Sequence, residues 1–121
     1  MTSLALFTPQ PEYHRVCAVD DLWEGEMAEF EVGGTPVLLV HTAGGHFRAL
    51  QASCPHQRVP LVEGELQGHV LSCRAHQWEI DARTGRGINP HHAHVALYPI
   101  KVEEGQVFVS VIGVAPRYSS P

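Results

Sequence analysis

The chain is 121 residues long, the size of one ordinary domain. Its 44 % hydrophobic and 17 % charged residues exclude a disordered tail, because enough apolar side chain is present to offset the entropy of ordering. A net charge of -5, from 8 Lys+Arg against 13 Asp+Glu, repels phosphate backbones, so no nucleic-acid partner is expected.

No run approaches the roughly 18 apolar residues of a membrane-spanning helix. Residues 1–9 lack the charged start and the apolar length of an export signal, so a cytoplasmic protein without membrane contact is expected. Three cysteines, an odd count without an export signal, argue against a disulfide framework. The acids are unevenly spread. Glu12, Asp20, Asp21, Glu24, Glu26, Glu29 and Glu31 face only Arg15 and Arg48 within residues 1–50.

Residues 1–13, with Pro9 and Pro11, read as a flexible N-terminal arm, residues 14–113 as the domain, and 114–121 as a tail. Val16–Val19 is a first apolar run, and Asp20 starts a single helical turn. Trp23 is expected in the core or half-buried. Met27–Val32 alternates and meets Gly33-Gly34, the signal of a tight hairpin, before Val37–Val40, an apolar run suited to burial on both faces. Residues 53–97 are rich in Pro, Gly, His and Arg, with brief strands only at Val70-Leu71 and Trp78–Ile80. So long a loop-rich insertion needs something to tie it down. Leu97–Val102 and Gln106–Ile112 complete the strands, with Val107, Val109 and Val111 on one face. The class is all-β and antiparallel.

Inside the insertion stand Cys54-Pro55-His56 and, after sixteen intervening residues, Cys73-Arg74-Ala75-His76. Each segment offers one thiolate and one imidazole, both ligands for transition metals. Zinc sites draw on Cys-Cys and His-His pairs, whereas a [2Fe–2S] cluster with two Cys on one iron and two His on the other suits mixed pairs. A zinc-stabilised β module that binds a partner stays open as the alternative.

The pattern C-P-H, C-x2-H, Trp78, Thr84-Gly85 and Tyr98-Pro99 resembles the Rieske [2Fe–2S] proteins. Cys73–His76, Gly87-Ile-Asn-Pro90 and Val19–Glu26 are similar to the small ferredoxins of toluene and o-xylene monooxygenases. The resemblance implies three small antiparallel sheets with a two-loop subdomain holding one [2Fe–2S] cluster. In it Cys54 and Cys73 bind the inner iron, and His56 and His76 the outer one. Pro55, Gln57, Gln77, Trp78 and Pro90 fall at surrounding positions. The implied role is that of a monomeric one-electron carrier, not itself an enzyme. Its donor would be an NADH-dependent flavin/[2Fe–2S] reductase, and its acceptor a diiron hydroxylase of aromatic hydrocarbons. The ferredoxin of a ring-hydroxylating dioxygenase is the alternative in the same chemistry.

The chain also departs from common Rieske patterns. Gln57 and Gln77 stand where glycine often follows each ligand histidine, and Arg74 where proline often follows the second ligand cysteine. The extra cysteines of high-potential relatives correspond to Val59 and Ala75, and their hydroxyl-bearing residues to Trp78 and Ile80. Cys17 reads as a small core residue, and His91, His92 and His94 as a solvated loop.

Overall fold

The computed structural model describes residues 12–55, 59–74 and 78–117; most of the expected N-terminal arm lies outside these. Among the described residues, eleven strands fill three antiparallel sheets. The first contains β1 (His14–Ala18), β11 (Gln106–Val109) and β10 (Ile100–Glu103), in that order. The second runs β2 (Met27–Val32), β3 (Thr35–Thr42), β4 (His46–Gln51) and β9 (Leu97–Tyr98). The third is small: β5 (Glu65–Gln67), β6 (Val70–Ser72), β7 (Glu79–Asp81) and β8 (Gly87–Asn89).

The second sheet separates two cores, which is why Val37–Val40 is apolar at every position. Leu38 and Val40 enter one core with Leu50, Leu71 and Ile80. Val37 and Leu39 enter the other with Cys17, Val107 and Val109. A strand buried on both faces has no polar side to show. β2 and β3 join through Gly33 and Gly34, whose φ of 55° and 83° suit a tight hairpin turn that side chains disfavour.

The insertion holds more strand than the sequence suggests. β5 to β8 are three residues each, too short to display a period of two. Trp23 is also not where it was expected. Leu22 takes the core position, and Trp23, one residue on, stands 72 % exposed.

Gln51 fastens the segment at Arg117 to the second sheet. Its Oε1 accepts from the N–H groups of Ala96 (2.8 Å) and Arg117 (2.7 Å). Its Nε2 donates to the carbonyls of Ser53 (2.9 Å) and Arg117 (2.8 Å). No helix among the described residues is long and apolar enough to cross a membrane.

Candidate metal centre

Two hairpin tips of matching construction carry the cysteines. Beyond β4, Ser53 bridges Pro60, Leu61 N–H donates to Ala52 O (2.8 Å), and Cys54 N–H donates to Val59 O (2.8 Å). Beyond β6, Ser72 pairs with Glu79, and Cys73 N–H donates to Trp78 O (2.7 Å). In both tips the cysteine N–H reaches the carbonyl five residues on, so each tip closes around four residues. The sequence puts one candidate histidine in each tip: His56 in the first and His76 in the second.

Cys54 and Cys73 are 0 % and 1 % exposed and share the core lined by Leu71 and Ile80. Neither is in a disulfide. Two thiols delivered to one apolar core by two closed tips fit the sulfur half of a Cys2His2 iron–sulfur site, because thiolates favour such metals. His56, Gln57, Gln77 and His76 lie outside the described residues, and among the described residues no third metal-ligating side chain joins the pair.

The residues around the tips do specific work. Pro55 is buried immediately after Cys54. Trp78 packs on the shared core and meets the His92 ring edge-on, with centroids 5.7 Å apart at 81°. Pro90 opens the loop between β8 and β9, and its carbonyl accepts from Ala93 N–H (3.2 Å). His91 and His92 are exposed and His94 half-buried, as a solvated loop requires.

Two features here escape a sequence reading. Arg74, beside Cys73, is engaged by Glu63 at 2.6 Å, so it is not an unpaired cation at the site. Both line a hollow of ≈ 380 Å³ with Gly64, Glu65, Ser72, Cys73 and Glu79. A side chain at Gly64 would collide with the Ser72 carbonyl, one residue before Cys73. A lone glycine ending a short turn gives no signal of that approach.

Residues 12–99 match the family model described as Rieske [2Fe-2S] domain. The chain belongs to the Rieske [2Fe–2S] family. It is 50% identical over 99 residues to the ferredoxin component of the alkene monooxygenase system of Xanthobacter autotrophicus, covering 81% of this chain and 80% of that protein. It is 34% identical over 98 residues to the ferredoxin component of the p-cumate 2,3-dioxygenase system of Pseudomonas putida, covering 79% and 83%. In structure it matches a chain of the complex of reduced oxygenase and oxidized ferredoxin in carbazole 1,9a-dioxygenase, with TM-score 0.74, 29% identity, and 81% and 92% of the two chains covered.

This chain is therefore an electron-transfer protein of the Rieske family with one Rieske-type [2Fe–2S] cluster, similar to ferredoxin components of oxygenase systems rather than to their catalytic subunits. When bound, the cluster supplies one-electron chemistry. The chain's own part is to bury the two cysteine sulfurs from water and to fix their backbone through the bonds to Val59 and Trp78.

Proposed function

We propose that this ferredoxin carries single electrons from an NADH-dependent flavin/[2Fe–2S] reductase to a diiron monooxygenase that oxidises an unsaturated hydrocarbon, in the cytoplasm and as a monomer. Cys54 and Cys73 hold the inner iron, and His56 and His76 the outer. Pro55, Gln57, Gln77, Trp78 and Pro90 surround them, within a domain spanning residues 14–113. The carrying observation is the pair of matched tips, in which Cys54 and Cys73 N–H groups bond to Val59 and Trp78 carbonyls. Outer histidines on such tips give the electron an exit while the buried thiolates anchor the cluster.

Monooxygenase service is favoured over dioxygenase service by the 50% identity to an alkene monooxygenase ferredoxin, against 34% to a dioxygenase one. Toluene-type motifs in the sequence favour an aromatic substrate, and that relative's name an alkene; both offer a π bond to the oxidant. Reconstitution with reductase, hydroxylase, NADH and either toluene or propene tests this. Product that appears only when the ferredoxin is added supports the reading. Product formed at the same rate without it overturns the reading.

A further inference from the structure

We propose that Trp23 is the anchor of the surface by which this carrier recognises its oxygenase, an inference that rests on the electron-carrier function above. A single exposed apolar residue is ordinary. A tryptophan 72 % exposed on a loop fastened on both sides of it is not. Glu26 Oε1 accepts from Trp23 N–H (2.7 Å), and Trp23 O accepts from Glu26 N–H (2.9 Å). Gly25 N–H donates to His41 O (2.7 Å), and His41 N–H to Glu26 O (3.1 Å). The His41 ring, bonded through Nδ1 to Leu22 O (2.8 Å), stacks on Phe47 with centroids 4.1 Å apart. The backbone is thus set before any partner arrives, so burying the indole sacrifices little loop entropy. Tryptophan is also the side chain most often found at the energetic centre of an interface.

Charge identifies the complementary surface. Asp20, Asp21, Glu24 and Glu26 are all exposed around Trp23, and none makes an ion pair with a described residue. The matching partner presents an apolar slot rimmed by Lys and Arg.

Position puts the loop within one interface of the cluster tips. The loop abuts the turn between β5 and β6, with Glu24, Gly25, Ala43 and Gly68 lining one small hollow. Cys73 follows the opposite end of β6. Five residues of strand span roughly 17 Å, within the roughly 30 Å breadth of an ordinary interface. The cluster tips must meet donor and acceptor alike, so a residue that tells one from the other lies off the tips. Relatives of this family are named for different oxygenases, and it is that acceptor which has to be told apart.

The test uses the cluster-loaded protein with the oxygenase and reductase components of the Xanthobacter autotrophicus alkene monooxygenase system. Trp23→Ala should lower the second-order rate of electron transfer to the oxygenase at least tenfold. Its EPR spectrum and its rate of reduction by the reductase should match the wild type. Glu24→Lys should slow the same step and flatten its salt dependence, whereas Ile112→Ala, another exposed apolar site, should do neither. A Trp23→Ala rate within twofold of wild type, or an equal loss with the reductase, overturns the inference. A wild-type carrier that the oxygenase cannot oxidise contradicts the electron-carrier reading itself, and the inference with it.

Discussion

The backbone N–H groups of Cys54 and Cys73 are committed to Val59 and Trp78 carbonyls, so backbone bonds set where the two sulfurs start. Losing an outer ligand should then cost the cluster while leaving the strands. His76→Ala is expected to abolish the native EPR signal while the far-ultraviolet circular dichroism stays near that of wild type. A retained signal removes His76 from the ligand set. Cys17 behaves oppositely. Burial, and after it the Asp21 carboxylate, pushes its thiol above the ordinary value, so it stays protonated and unreactive near neutral pH. Iodoacetamide at pH 7.5 should spare Cys17 in the native protein and label it after denaturation; rapid native labelling contradicts this burial.

At the scale of elements, buried polar bonds fasten what apolar packing leaves loose. Gln51→Leu strands the Ala96 and Arg117 N–H groups that its Oε1 satisfies. The expected loss is about 2–4 kcal/mol in urea unfolding, and a change under about 0.5 kcal/mol would show the tie to be ornamental. In the β7–β8 turn, Arg83 hydrogen bonds hold the Asp81 carboxyl below its usual value. A lowered carboxylate stabilises the fold above the ordinary value of about 4 and loses that contribution as pH falls through the lowered one. Asp81→Asn should flatten this acid-side dependence of the urea midpoint, and an unchanged pH profile would contradict it.

Much of this was legible in the sequence. Continuous apolarity at Val37–Val40 announced a strand between two cores, Gly33-Gly34 a hairpin, and the cysteine spacing two loops. Trp23 departs from the sequence expectation because a large aromatic suggests burial, while the neighbouring Leu22 fills that place. The three-residue strands β5 to β8 are held by register rather than by pattern. The Arg74–Glu63 pair joins residues whose nearness only the fold creates.

At the scale of the molecule, charge and cluster environment govern function. With Arg74 neutralised by Glu63, long-range steering falls to the acids of residues 12–31. Transfer to the oxygenase should slow as the Debye length shrinks from about 10 Å at 0.1 M salt to about 3 Å at 1 M. A flat rate across that range contradicts steering. The reduction potential should lie low in the Rieske span of about -150 to +300 mV. Trp78 and Ile80 pack on the apolar core and offer no hydroxyl to stabilise the reduced state. Voltammetry giving more than about +100 mV would reveal other donors at the cluster.

The most direct test of the central claim is pulsed EPR on the dithionite-reduced protein. A Rieske cluster held by Cys54, Cys73, His56 and His76 predicts a paramagnetic centre coupled to two imidazole nitrogens. A signal without directly coupled nitrogen, or a colourless, EPR-silent protein containing zinc, would contradict it.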